Sequence, residues 1–194
     1  MRLKTVEQGR QIRQRLMLGM MRFMIGVRVP DVLRLILHRP EFFGQPYYLW
    51  TQAIMRGRSE WNVGQRELFA AFTSHLNECQ YCLSHHKATS TRAFGDEALV
   101  QAVVDDWRTA PIDWKTKVML GFLRKLTMEP FHLTAADIVP LREAGLSDEA
   151  IEDAIHICAN FNIINRLADA FGFELPSPRG LARSTEILLT RGYQ

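Results

Sequence analysis

Apolar residues along this chain recur at the three-to-four-residue spacing of a helix almost throughout, and no segment alternates polar with apolar over a strand's length. That regularity predicts an all-α fold. Breaks in the pattern mark out the helices. Pro30 opens "PDVLRLILHR" at a favourable first-turn position and Pro40 ends it. A second helix fits "FFGQPYYLWTQAIMRG", "SEWNVG" reads as a loop, and residues 65–76 carry the stripe Leu68, Phe69, Phe72 and Leu76. "DEALVQAVVDDW" and "DWKTKVMLGFLRKLT" follow, separated by "RTAPI", and "TAADIVPLREAG" is shorter and kinked by Pro140. The clearest helix is "SDEAIEDAIHICANFNIINRLADAFG", with Ser147 as its cap, acids in its first turn and Gly172 at its end. "ELPSPRG" then reads as a linker to a last helix, "LARSTEILLTRG".

A chain of 194 residues fits one domain and can bury a core without cross-links. At 47% apolar and 23% charged residues, its composition is that of a globular protein rather than a disordered or membrane-spanning one. The net charge of +3 hides an asymmetry: up to Arg28 the chain carries Arg2, Lys4, Arg10, Arg13, Arg15, Arg22 and Arg28 against Glu7 alone. Residues 1–29 therefore read as a basic amphipathic arm, and 30–194 as the helical domain. Scattered basic residues without interleaved aromatics favour a docking arm with a solvated basic face over a nucleic-acid or lipid contact. Arg22 interrupts the arm's apolar stretch, no A-x-A cleavage site follows, and nowhere do eighteen apolar residues run without a charge. No signal peptide or transmembrane segment is expected, and a cytoplasmic location is.

Three cysteines are too few and too odd a number for a secreted disulfide scaffold. Cys158, within "AIHICANF", reads as a core residue. The chemistry concentrates in "HLNECQYCLSHH", residues 75–86. Asn77 is expected to cap a new helix there, with Gln80 three residues on and Cys79 in the first turn. Such a helix brings Cys79, Cys82 and His86 within about 60° of one another and turns His85 away. The two thiols can then form a disulfide, the helix N-terminus favours a thiolate, and His86 can accept or return a proton. Zinc competes, because Cys79, Cys82, His85 and His86 are legitimate ligands, but one short helix cannot wrap all four around an ion and no second ligand pair exists elsewhere. An inert buried pair also competes, against which stand the polar neighbours Asn77, Glu78, Gln80 and Ser84. Glu67 can exchange protons with the dithiol if burial raises its pKa. On a straight helix it would stand about 18 Å from Cys79, so contact needs a bend near Asn77; otherwise it is a solvated glutamate. His75 and His85 are expected to be solvated and receive no role.

Glu67, then eleven residues, then Cys79-x-x-Cys82-x-x-x-His86 resembles the active-site signature of AhpD-like alkylhydroperoxidases in the carboxymuconolactone decarboxylase superfamily. "GQRELFAAFTSHLNECQYCLSHH" and "LREAGLSDEAIEDAIHICANFNIINRLADAFG" are similar to that family's motif helix pair and later helices, and the resemblance runs from about Pro30 to about Leu175. It implies an AhpD-like helical bundle in homo-oligomers, commonly trimers or hexamers, with dithiol peroxidase or disulfide-reductase activity and no metal or organic cofactor. By position, Cys82 would be the peroxide-attacking thiolate, Cys79 its proton-relaying and resolving partner, and Glu67 and His86 the rest of the proton relay. The partners implied are a hydroperoxide and a thioredoxin-like or lipoyl-bearing dithiol donor. Active relatives carry a histidine between the cysteines where this chain has Tyr81, a weaker proton carrier at neutral pH.

Overall fold

The computed structural model describes residues 1–9 and 11–193; Arg10, counted above with the basic arm, lies outside them. The described residues form eleven α-helices and two 3-10 turns, with no strand among them. In order they are α1 (Lys4–Gln8), α2 (Ile12–Ile25), α3 (Asp31–His38), α4 (Gly44–Arg56), α5 (Val63–Leu76), α6 (Gln80–Phe94), α7 (Glu97–Asp106), α8 (Trp114–Met128), α9 (Val139–Glu143), α10 (Asp148–Phe171) and α11 (Pro178–Arg191). The 3-10 turns, Pro130–His132 and Ala135–Ile138, lie between α8 and α9.

The core gathers around α5, which packs against α6, α8 and α10 and touches α4 and α7. Leu68, Phe69 and Phe72 are fully enclosed there with Met119, Leu120, Leu123 and Ile157. Asn62 starts α5 through a reciprocal cap, accepting the Gln65 amide at 2.9 Å while the Gln65 side chain accepts the Asn62 amide at 3.0 Å. Val63 and Gly64, expected in a loop, are thereby drawn into the helix. Likewise Ser177 caps α11 with Pro178 in its first turn, so the last helix begins inside the expected linker.

Between α5 and α6 the chain reverses at one residue. The Asn77 amide bonds back to Thr73 and closes α5, Glu78 adopts a left-handed φ of 58°, and the Cys79 amide bonds to Ser74 at 3.0 Å. Asn77 is therefore the C-cap of α5 rather than the N-cap of α6, and its side chain reaches across to Asn162 and Asn165 at 3.1 and 3.0 Å. The N-cap of α6 is Cys79 itself. The two helices run antiparallel, with Ser90 Oγ donating to the Gly64 carbonyl at 3.0 Å. Close approach is allowed because a Cβ at Gly64 would stand 3.1 Å from the Phe94 ring.

At the other end of the chain, the Met1 ammonium pairs with Glu174 at 2.8 Å and the Arg2 amide bonds to the Phe171 carbonyl at 2.7 Å. Asp31, at the start of α3, is fully buried; it pairs with Arg28 at 2.8 Å and accepts the Glu174 amide at 2.9 Å. α2 turns Leu18 inward and leaves Ile12, Leu16, Met20, Phe23 and Met24 exposed. No helix among the described residues is long and apolar enough to cross a membrane.

Replacing Gly64 by leucine should force α5 and α6 apart. The expected loss is about 1–3 kcal/mol, read as a lower urea midpoint at an unchanged slope.

Candidate active site

Reversal at Glu78 brings a carboxylate in α5 against an imidazole in α6: Glu67 Oε2 and His86 Nδ1 are 2.7 Å apart. A carboxylate only accepts, so His86 holds a proton on Nδ1, and in the neutral ring Nε2 is left with its lone pair. The other carboxylate oxygen accepts from Arg56 Nη2 at 2.5 Å and from the Tyr193 hydroxyl at 3.1 Å. Glu67 is 0% exposed. Burial by itself would raise its pKa, but the hydrogen bond and charge of His86, joined by those of Arg56, outweigh burial and hold the carboxyl below its ordinary value. Glu67 is thus not the solvated glutamate that spacing allowed, and the condition for its exchanging protons, a carboxyl raised by burial, is not met.

Both partners beyond His86 are anchored to the chain's last helix. Arg56, near the end of α4, also donates to the Leu188 carbonyl from Nε at 3.3 Å and Nη2 at 2.9 Å. Tyr193 follows α11, and burial and then the charge of Glu67 push its phenol well up, so it stays a donor. The closing face of the imidazole is Phe161 of α10, ring to ring at 4.4 Å.

Cys79 and Cys82 are both reduced and both buried, at 0% and 3% exposed. Each sits at the start of α6, one as its cap and one in its first turn. The Cys82 thiol donates to the Cys79 sulfur, and this bond, helped by the Cys82 amide, lowers the Cys79 pKa against the opposing effect of burial. The same bond together with burial raises Cys82 well above an ordinary thiol, and Asn165 opposes the rise. Cys79 is therefore the more acidic of the two sulfurs. Asn165 is held in turn by Ser74, to which its Nδ2 donates at 3.1 Å. Asp169 lies near both sulfurs and disfavours their ionisation.

Two neighbours on α6 differ from expectation. His85 is not solvated: it is 7% exposed, its Nδ1 donates to the Tyr81 carbonyl at 2.9 Å, and its Nε2 is buried with no hydrogen-bond partner. Burial drives its pKa down to about 4, so it is neutral at physiological pH. The Tyr81 ring lies 4.5 Å from the His85 ring, a contact with a side chain one turn earlier on the same helix. Tyr81 packs edge-on to Phe173 at 5.0 Å, and burial pushes its phenol far up. It is a wall of the site and not a proton carrier at neutral pH. Cys158 is buried apart from the pair, 3.2 Å from Thr127 Oγ1, with its thiol raised by burial. His75 is half-buried near the end of α5. Among the described residues no three of His, Cys, Asp and Glu are arranged to hold a metal ion.

Sequence reasoning missed Arg56, Tyr193, Asn165 and Asp169. For Asn165 a signal existed: Asn160 and Asn165 interrupt the inward face of an otherwise apolar helix, where asparagine is a poor helix former. For Arg56 and Tyr193 none did, because only the packing of α4 and α11 brings them to Glu67.

A helical hairpin carries the dithiol at its turn and a buried Glu–His pair between its arms, and the chain is a structural homologue of AhpD-like and peroxidase-related proteins. A peroxidase-related protein of Silicibacter sp. TM1040 superposes with a TM-score of 0.78 at 27% identity, covering 94% of this chain and 95% of that one. An alkylhydroperoxidase AhpD core, a peroxidase-related protein of Ralstonia eutropha JMP134, superposes with a TM-score of 0.75 at 26% identity, covering 90% of each chain. The debrominase Bmp8 shares the fold, with a TM-score of 0.69 at 19% identity over 95% of each chain. No protein-family model matches the sequence, and no curated protein does.

Acid should destabilise the protein in two windows. An unfolded histidine protonates from about pH 6.5 while folded His85 stays neutral to about pH 4, so the unfolded chain binds more protons and stability falls with pH across that range. The Glu67 carboxyl, held below its usual 4.5, adds a further loss as pH drops below that value. His85→Gln should flatten the first window, worth on the order of 3 kcal/mol, in urea midpoints measured from pH 7 to 4, and leave the second.

Proposed function

We propose that the protein is a dithiol hydroperoxide reductase of the AhpD type, with Cys82, Cys79, His86 and Glu67 as its catalytic residues. The single observation that carries this reading is the buried Glu67–His86 hydrogen bond beside a reduced Cys79–Cys82 pair. Cys79, the more acidic sulfur, accepts the Cys82 proton through their hydrogen bond. The Cys82 thiolate then attacks the distal oxygen of a hydroperoxide. The O–O bond breaks, the sulfur is oxidised by two electrons to a sulfenic acid, and the alkoxide leaves as an alcohol with the proton that Cys79 had taken up. The Cys79 thiolate so regenerated attacks the Cys82 sulfur, hydroxide leaves and becomes water with a proton that His86 Nε2 has taken from solvent, and a Cys79–Cys82 disulfide closes. An external dithiol returns two electrons by two exchange steps.

Glu67 takes no proton in this cycle. Three donors keep it ionised, so it orients His86 and stabilises the charged imidazole, while Nε2 does the proton transfer. Burial of both sulfurs supports a small oxidant over a folded protein's disulfide, and a slender lipoyl arm over a thioredoxin-like surface as donor. No metal or organic cofactor enters this cycle, and the reduced thiols suit a reducing compartment such as the cytoplasm. Assembly with further copies, as trimers or hexamers, belongs to the same reading and is supported by the apolar side chains that α2 leaves exposed.

Cys82→Ser should abolish hydroperoxide consumption in the presence of dithiothreitol or dihydrolipoamide. Cys79→Ser should stop after one equivalent with a sulfenic acid on Cys82, seen as a dimedone adduct by mass spectrometry. Glu67→Gln should cut kcat by about 10²–10⁴. Wild-type protein that consumes no hydroperoxide with any dithiol would overturn the reading. Light scattering on an eluting size-exclusion peak should give three or six copies, and a monomer would remove the assembly.

A further inference from the structure

Past α11 the chain turns inward at Gly192, whose φ of 69° is left-handed and whose amide closes the helix on the Leu188 carbonyl at 3.2 Å. A Cβ there would stand 2.6 Å from Gln52 Oε1 and 3.0 Å from Arg56 Cγ, so glycine is what lets the chain lie this close to α4. Gln52 takes up the next amide, its Oε1 accepting from Tyr193 at 2.7 Å. Arg56, one turn further along α4, donates to the Leu188 carbonyl and faces the Tyr193 ring at 5.1 Å. Turn, amide and ring are therefore each held before the hydroxyl is placed.

What this clasp delivers is one oxygen. The Tyr193 hydroxyl donates to Glu67 Oε1 at 3.1 Å and lies 3.5 Å from His86 Nδ1, with the Tyr193 and His86 rings within 12° of parallel. A phenylalanine would fill nearly the same volume, so packing does not call for the oxygen. Arg56 already donates to Oε1, and the phenol adds a second donor to the carboxylate oxygen that His86 does not use. Donors on Oε1 draw negative charge toward that oxygen, and the charge left on Oε2 is what favours a charged imidazole. Among the described residues, the charged and titratable groups around this pair are Glu67 and Arg66 of α5, Arg56 and Tyr47 of α4, His85 of α6 and Tyr193 itself, while α10 presents the Phe161 ring. Above about pH 5 the carboxyl of Glu67 is ionised, His85 is neutral and both phenols are protonated, so the surroundings of His86 keep one charge state.

We infer that Tyr193 is a positioning residue of the dithiol site, whose hydroxyl, held by the clasp after α11, sets through Glu67 how strongly the His86 imidazole keeps a second proton. Tyr193 acts on the imidazole through the carboxylate and not on the sulfurs. By sharing the charge of Glu67 it eases release of the Nε2 proton to the hydroxide that leaves when the disulfide closes. That part in turnover rests on the hydroperoxide reading above, whereas the hold on His86 does not, and two measurements separate them.

The first is the titration of His86 in the full chain, followed by nitrogen–proton NMR of histidine-labelled protein, with its signals assigned by their loss in His86→Gln. Tyr193→Phe should move the midpoint to higher pH by about 0.5. Gln52→Ala, which frees the amide and leaves the phenol in place, should move it the same way and by less, and it carries the test if Tyr193→Phe does not fold. A folded Tyr193→Phe with the wild-type midpoint, or a lower one, would overturn the inference whatever the protein catalyses. The second is kcat and KM for a hydroperoxide with dithiothreitol as donor. In Tyr193→Phe kcat should fall about fivefold while KM stays the same. An unchanged kcat beside a shifted titration would overturn the part in turnover and leave the hold on His86 standing. A shifted titration in a protein whose wild type consumes no hydroperoxide would uphold that hold and remove the hydroperoxide reading instead.

Discussion

An ionised carboxylate taken out of water costs several kcal/mol unless charges and hydrogen-bond donors replace what it lost. Glu67 is placed in the middle of the most enclosed helix of the molecule, so its three partners are structural necessities before they are chemical ones. Each comes from a different part of the chain. His86 is supplied by α6, which fixes the antiparallel return of that helix and hence the turn that carries the cysteines. Arg56 is supplied by α4, and Tyr193 by the residues after α11, whose carbonyl at Leu188 the same arginine holds. The order in which helices wrap around α5 can be read from what this one carboxylate needs.

The consequence for chemistry is a division of labour among groups that look alike in the sequence. Glu67 is well satisfied by three donors and fixes the tautomer and orientation of His86, which in the proposed cycle is the mobile base. The two cysteines are also unequal. The cap position gives Cys79 both the amide and the thiol of Cys82 as donors, while Cys82 gives up its hydrogen bond. A shared proton between unequal sulfurs is suited to a cycle in which one attacks and the other resolves. Tyr81, between them, contributes bulk. Burial keeps its phenol protonated, so in the proposed cycle proton transfer falls to other groups.

Around this centre the polar residues of α10 act as spacers between compartments. Asn165 faces the cysteines and Ser74, Asn160 faces Tyr47 and Thr51, and Phe161 between them presses on His86. Buried, hydrogen-bonded asparagines specify a register more sharply than leucines would, because a shift of one residue would strand their amides.

Helical spacing alone determined the all-α class and most helix positions, because these follow from local backbone geometry and a 3.6-residue period. The spaced glutamate pointed to the right partner, but the bend that delivers it had to be inferred, and its mechanism was placed one residue early: Asn77 closes α5, and Glu78 makes the turn. Local patterning was silent on what neighbours do to a side chain's charge. It left His85 in solvent, where the fold buries it, and it made proton exchange at Glu67 depend on burial raising the carboxyl, where His86 and Arg56 lower it. Tyr193 stands 126 residues from Glu67 in the chain and 3.1 Å from it in space. Burial, pKa and the meeting of distant residues are sums over contacts from several helices, so only the tertiary structure could decide them.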